Sequence, residues 1–186
     1  LRKPILKNLV NKSEIRKKIL KIRKKKNFKS LKIDFHSIIQ ILKNSRRKVL
    51  GVYYPYNYEI NIIPFLKKLE KLNYNILLPK IGKNYSMNFF NWSTKDPLII
   101  NDYGIPEPIS NKVKYPDILL VPLIAYDKNL NRIGYGGGFY DRYLKKIKKI
   151  KKITTIGLAY TFQKVRKIPT NKYDIKLDFI ITERQN

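Results

Sequence analysis

The chain has 186 residues, 43% of them hydrophobic, which is enough to bury the core of one domain. With no cysteine and a single histidine, His36, a disulfide framework, a thiolate or multi-histidine metal site and a cysteine nucleophile are excluded, and a Ser-His-Asp triad would have to use His36. Lys and Arg number 41 against 13 Asp and Glu, a formal net charge of +28, yet the basic residues run from Lys3 to Lys176 through every segment and accompany abundant Asn, Ile and Tyr. The excess therefore reads as compositional drift toward AT-rich codons and not as a clustered nucleic-acid face, although such a surface attracts polyanions weakly at low salt.

Read along the chain, Ile15, Ile19 and Ile22 recur at helical spacing among basic residues, and Asn27 ends that helix. Ser30 caps a second helix whose apolar stripe is Leu31, Phe35, Ile38, Ile39 and Leu42, with His36 beside the stripe at the surface. The apolar run from Val49 to Tyr54, stopped by Pro55, has the character of a buried strand. Ile62, Ile63, Leu66 and Leu69 fit an amphipathic helix with Pro64 in its first turn. Strands are expected at 75–79, 85–92 and 117–122, then a helix over 140–149 and strands at 153–159 and 177–181; Trp92 reads as core. Strands alternating with helices predict an α/β sandwich with a largely parallel central sheet flanked by helices. The expected layout is one domain over 1–186, an N-terminal helical region (1–45) packed on an α/β core (46–186). No apolar run approaches ~18 residues, so no membrane partner is expected. The basic start lacks the apolar stretch of a signal peptide, and the expected compartment is the cytoplasm.

The most informative segment runs from Asn131 to Arg142, where four of the chain's eight glycines, Gly134, Gly136, Gly137 and Gly138, fall between a strand and a helix. Glycines there let successive backbone N–H groups turn inward and a ligand approach the main chain, while the helix that follows directs its positive end at the same place. Arg132 and Arg142 flank the loop with cationic forks. This is what a phosphate cradle requires. It is neither the dinucleotide fingerprint, since Phe139 stands where glycine is needed, nor a Walker loop, since Gly-Lys-Ser/Thr is absent.

The segment Arg132-Ile133-Gly134-Tyr135-Gly136-Gly137-Gly138-Phe139-Tyr140-Asp141-Arg142 resembles the signature of the 5-formyltetrahydrofolate cyclo-ligase (5,10-methenyltetrahydrofolate synthetase) family. The resemblance continues in the family's order with Lys12-Ser13-Glu14-Ile15-Arg16, Tyr54-Pro55 with Glu59, Gly104-Ile105-Pro106-Glu107-Pro108, Val121-Pro122 with Tyr126-Asp127, and Gln163, Pro169, Asp174 and Asp178. It implies an α/β sandwich with a ligand cleft above the sheet, ATP as co-substrate, Mg2+ as cofactor and 5-formyltetrahydrofolate as substrate. No specific nucleic-acid partner is implied, and a monomer is expected.

By that resemblance, Lys12 and Arg16, one helical turn apart, grip ATP phosphates together with Arg132, Ile133, Gly134, Tyr135, Gly136, Gly137, Gly138, Phe139 and Tyr140. Arg132, Tyr140 and Asp141 are the expected catalytic residues, and Asp141 and Asp174 the magnesium ligands, directly or through water. Tyr54, Glu59 and Tyr103 are expected to wall and read the pterin, with Tyr135, Gly136, Gly137, Gly138 and Phe139 also touching folate; a carboxylate accepts the two donors of an aminopyrimidinone edge. The family often has tyrosine where Phe139 stands, so that hydroxyl is missing here. Two alternatives accompany this reading: a basic RNA-binding protein, or an inactive relative that keeps the fold.

Overall fold

A computed structural model describes residues 11–25, 35–43 and 49–183. Seven strands form one sheet: β1 (Val49–Gly51), β2 (Asn75–Ile81), β3 (Met87–Asn91), β6 (Val113–Lys114), β7 (Ile118–Pro122), β10 (Thr154–Leu158) and β11 (Phe179–Ile181). Their spatial order is β11-β10-β7-β1-β2-β3-β6. The first five are mutually parallel, whereas β3 runs antiparallel to β2 and β6 antiparallel to β3. Strands β4 (Leu98–Ile100) and β5 (Pro106–Pro108) make a separate hairpin, and β8 (Ala125–Tyr126) and β9 (Arg132–Ile133) another.

The apolar runs are continuous because helices cover both faces of the sheet. Alternate residues divide the core in two. On one face Leu50, Ile76, Leu78, Ile118, Leu120 and Ile156 pack against α2 (Phe35–Lys43) and α3 (Ile63–Lys71). On the other, Leu77, Leu119 and Val121 pack against Tyr143, Leu144 and Ile147 of α4 (Phe139–Ile147). Helix α1 (Lys12–Lys25) lies over the second hairpin, burying Ile15 and Ile19 against Ile124, Ala125, Ile133 and Ile168.

The alternation expected from sequence is present, with differences at the ends. The third strand starts at Met87, because Asn84 and Tyr85 take positive φ (both 55°) in a short 3-10 turn. The first ends its ladder at Gly51, although Val52 still donates to Leu77 (2.9 Å). Helix α4 spans Phe139–Ile147 and not 140–149. The stripe of α1 runs through Ile15, Ile19 and Arg23, while Ile22 is only partly buried. Five strands of two or three residues, β4, β5, β6, β8 and β9, carry no run long enough to signal a strand. Asn27, Ser30 and Leu31 lie outside the described residues. Among the described residues no helix is long and apolar enough to cross a membrane.

Candidate active site

In this sheet β1 has its sequence neighbour β2 on one side and β7 on the other, so the strand order reverses at β1, and open parallel sheets bind ligands beyond the carboxyl ends of strands at such a point. A cleft of about 990 Å³ opens there. Its floor is made by chain leaving the strands: Tyr53 and Tyr54 after β1, Ile81 at the end of β2 and Pro122 at the end of β7. Two walls rise from it.

The first wall joins the start of α1, the β9–α4 loop and residues 171–175. Asn11 Oδ1 accepts the Glu14 amide (3.0 Å) and so caps α1, placing Lys12 and Arg16 one turn apart on the same face. Lys12 Nζ donates to both carboxylate oxygens of Asp174 (2.6 Å each). Arg16 Nε donates to the Gly134 carbonyl (2.9 Å). Within the loop Gly138, the residue before α4, has φ of 66°, a left-handed conformation that β-carbons disfavour. No side chain caps α4 among the described residues, which leaves its first-turn amides for a ligand. A β-carbon at Gly137 would stand 2.5 Å from Phe139 Cε2, so the ring packs directly over that peptide. Arg142 folds back to donate to the Gly137 carbonyl and lies over the rings of Tyr85 and Phe139, 5.3 and 5.8 Å from their centroids.

Arg132 is buried, its side chain only 5% exposed, and it is held by Asp141: Nη2 donates to Asp141 Oδ1 at 2.9 Å, and Nη1 donates to the Ile175 carbonyl. The same Asp141 oxygen accepts the Ile175 amide (3.0 Å), which fastens the residue after Asp174 beside Asp141. The fold thus brings together two carboxylates 33 positions apart in the chain, and each has a cation of its own. The described hydrogen bonds to Asp141 all fall on Oδ1, whereas Asp174 has both oxygens engaged, by Lys12 and by the Asn171 amide (2.6 Å). Among the described residues no group of three or more acids and histidines forms a metal cage. Two carboxylates with room for phosphate oxygens and water suit Mg2+, which takes few protein ligands.

The second wall is aromatic and carries two acids, Glu59 and Glu107. Tyr54 meets Trp92 edge-on, with centroids 6.5 Å apart. Tyr103, 54% exposed at the tip of the β4–β5 hairpin, stands edge-on to Phe139 at 6.2 Å. Glu59 Oε2 accepts the Tyr56 amide (3.0 Å), and the Tyr135 side chain stands near enough to the same carboxylate to favour its charged form. Burial pushes the Glu59 carboxyl up to about 7 from its ordinary 4.5, against the opposing pull of the Tyr56 amide, the Arg23 charge and Tyr135. Burial, and then the Glu59 charge, raise the Tyr140 hydroxyl well above its ordinary value.

A model of the 5-formyltetrahydrofolate cyclo-ligase family matches residues 8–183. The chain belongs to this family. It is 33% identical over 147 residues to a 5-formyltetrahydrofolate cyclo-ligase of Haemophilus influenzae, covering 75% of this chain and 78% of that one. The Escherichia coli enzyme of the same name is 30% identical over 140 residues, 72% and 76% of the two chains. The fold matches a 5,10-methenyltetrahydrofolate synthetase from Mycoplasma pneumoniae (TM-score 0.75, 25% identity, 92% of this chain and 98% of that one). It also matches the synthetase from Aquifex aeolicus (TM-score 0.76, 28% identity, 94% and 90%).

Within the cyclo-ligase fold, every residue singled out from sequence for ATP, substrate or metal lines this one cleft. His36 does not: it lies exposed on α2 against Gln40 (3.0 Å). Other residues of the family-like segments build the cleft and do not line it. Gln163 Nε2 donates to the carbonyls of Leu123 and Ile124 (2.8 Å each), and Asp127 Oδ1 gathers the amides of Asn129 and Asn131 (2.9 and 3.2 Å) ahead of β9. Glu107 lines the cleft but is spent on structure, since its Oε1 accepts the Ile81 amide and the Asn101 side chain (2.7 Å each), tying the hairpin that carries Tyr103 to β2. Tyr53, Tyr56, Tyr85, Asn171 and Tyr173 also line the cleft, and sequence reasoning did not reach them. Loop tyrosines with no periodic pattern give no signal in a chain with 14 of them.

Proposed function

We propose that this cyclo-ligase family member converts 5-formyltetrahydrofolate and ATP into 5,10-methenyltetrahydrofolate, ADP and phosphate. The observation that carries this reading is the pairing of an amide-rich, cationic wall with an aromatic wall bearing the Glu59 carboxylate, across a single cleft. An N-formyl oxygen is a poor leaving group. If it attacks the γ-phosphorus and displaces ADP, it becomes a phosphate ester oxygen; N10 then attacks the formyl carbon, the C–O bond breaks, and phosphate leaves as the N10 proton is lost. The protein needs no nucleophile for this, only alignment and charge neutralisation.

The loop amides from Gly134 to Gly138 and the first turn of α4 cradle phosphates, with Lys12 and Arg16 as cationic partners. Arg132 holds Asp141 in place. Asp141, through Oδ2, and Asp174, through water, would hold Mg2+, which supplies charge neutralisation at the phosphate oxygens when bound. Glu59 accepts the amino and ring N–H donors of the pterin, while Tyr54 and Tyr103 flank its plane. Tyr140, whose hydroxyl stays protonated, offers a donor between the two ligands. The protein acts as a cytoplasmic monomer. The test is the absorbance of the methenyl product formed from 5-formyltetrahydrofolate with and without ATP. Product that appears only with ATP is the expected result; none under saturating ATP and magnesium overturns the reading.

A further inference from the structure

Arg23 is 1% exposed, on the buried stripe of α1 behind the cleft wall. A guanidinium fully removed from water costs several kcal/mol unless its surroundings repay it. Two described hydrogen bonds do so: Nη2 donates to the Leu123 carbonyl (2.6 Å) and Nη1 to the Tyr135 hydroxyl (3.3 Å), while Nε has no partner among the described residues. The first bond is shared, because Gln163 also donates to the same carbonyl (2.8 Å). The second leads toward an opposite charge. Arginine only donates, and the Asn57 side chain also reaches the Tyr135 oxygen. With its lone pairs so engaged, the hydroxyl has its proton to give, and Glu59 is there to receive it.

We infer that Arg23 is a positioning residue which, through the Tyr135 hydroxyl, holds the Glu59 carboxylate as a hydrogen-bond acceptor for the substrate's heterocycle. This rests on the proposed folate reading of the cleft. It makes Tyr135 a hinge between the two walls, since the residue belongs to the glycine loop and touches the pterin acid.

The groups facing Glu59 are Arg23 from α1, Tyr53 and the Tyr56 amide from the segment after β1, Tyr135 from the glycine loop and Tyr140 from α4. Burial raises the hydroxyls of Tyr53, Tyr135 and Tyr140, so none of them ionises near neutrality and a titration near pH 7 belongs to Glu59. The Arg23 charge favours the carboxylate, so its removal moves that titration upward.

The experiment uses the full chain as wild type, Arg23→Met, Arg23→Lys, Tyr135→Phe and the Arg23→Met/Tyr135→Phe double variant. Carbon-13 NMR of labelled glutamate carboxyls follows the Glu59 titration, and steady-state kinetics are recorded from pH 6 to 9. We expect Arg23→Met to raise the titration by about half to one unit. The KM for 5-formyltetrahydrofolate at pH 7 rises about twofold to fivefold, kcat stays within about twofold, and the KM difference vanishes toward pH 9. Arg23→Lys restores part of the shift. In the Tyr135→Phe background the Arg23→Met shift falls to about half or less. An unmoved titration in Arg23→Met, or an equal shift in both backgrounds, overturns the inference. Should Arg23→Met fail to fold, Tyr135→Phe decides alone: a titration and folate KM like wild type refute the relay. A wild type that makes no methenyl product while its Glu59 titration still responds to Arg23 refutes the folate reading and leaves the relay standing.

Discussion

The two walls of the cleft keep their side chains in place by opposite means. On the glycine-loop wall the cations are committed before any ligand arrives: Lys12 to Asp174, Arg132 to Asp141, Arg16 to a carbonyl. On the aromatic wall Glu107 is held by structural hydrogen bonds, while Glu59 has no salt bridge among the described residues and relies on an amide, a hydroxyl and the more distant Arg23. A wall built of ion pairs presents fixed charges and dipoles, which serve best where charge develops during reaction. A wall built of packing and one half-supported acid has a conditional charge. On the proposed function, the difference puts the chemistry on the first wall and pH-sensitive recognition on the second.

Four experiments would break or sharpen that contrast. The largest effect is expected from Asp141→Asn. Asparagine keeps an oxygen for the Ile175 amide, so the chain path survives, but Arg132 loses its counter-charge and the proposed Mg2+ its ligand. We expect kcat/KM to fall by about a hundredfold or more with an unchanged circular dichroism spectrum. Full turnover at saturating magnesium would take the chemistry away from this wall.

Gly137→Val comes next. The added β-carbon meets the Phe139 ring, and the branched side chain obstructs the loop amides. The KM for ATP should rise about tenfold and that for folate less than about threefold. Equal losses in both would mean that the walls are not independent.

Glu59→Gln addresses the second wall. In the wild type the folate KM should fall as pH rises through about 7, where the acid becomes an acceptor on both oxygens; in the variant the profile should be flat. Stability gives a second readout. A carboxyl raised from 4.5 to about 7 in the folded state contributes stability that is complete below pH 4.5 and is lost as pH rises through 7. The melting temperature of the wild type relative to Glu59→Gln should therefore decline across that window. Parallel pH curves for the two proteins would show that Glu59 is not the conditional group.

The smallest effect concerns the +28 surface outside both walls. Any nucleic-acid binding should be non-specific and lost by physiological salt, with log K falling about 0.9 for each phosphate contacted on duplex DNA. Tight, sequence-dependent binding of a structured RNA over its scrambled control at physiological salt would make this surface a third functional region.

What the sequence made legible follows the same division. The continuous runs at 75–79 and 117–122 declared their strands because both faces of the sheet are covered, and the glycine cluster declared the loop because few other reasons require four glycines before a helix. The short hairpin strands were silent: Pro106–Pro108 pairs with Leu98–Ile100 and is tied to β2 through Glu107, tertiary contacts with no local pattern. Arg23 was hidden differently. On a helix crowded with Lys and Arg one more basic residue drew no notice, yet its spacing four after Ile19 and eight after Ile15 put it on the apolar stripe. Ile22, one position earlier, satisfied a hydrophobic count and masked the anomaly. The pairings Lys12–Asp174 and Arg132–Asp141 could not be read from spacing at all, since the fold alone makes them neighbours.

The contact between Lys12 and Asp174 spans 162 positions of the chain. Closing so long a loop costs little more entropy than closing one half as long, so the span is no burden on the finished protein. It does set an order of events. During synthesis the sheet strands up to β7 can pair while the glycine-loop wall still lacks its last segment, and a nascent chain not yet extended through Asp174 lacks the piece of lining from Asn171 to Asp174 that completes the proposed ATP site. On the proposed reading, full competence to bind nucleotide thus arrives late, and nucleotide binding would time chain completion in a translation reaction sampled by the second.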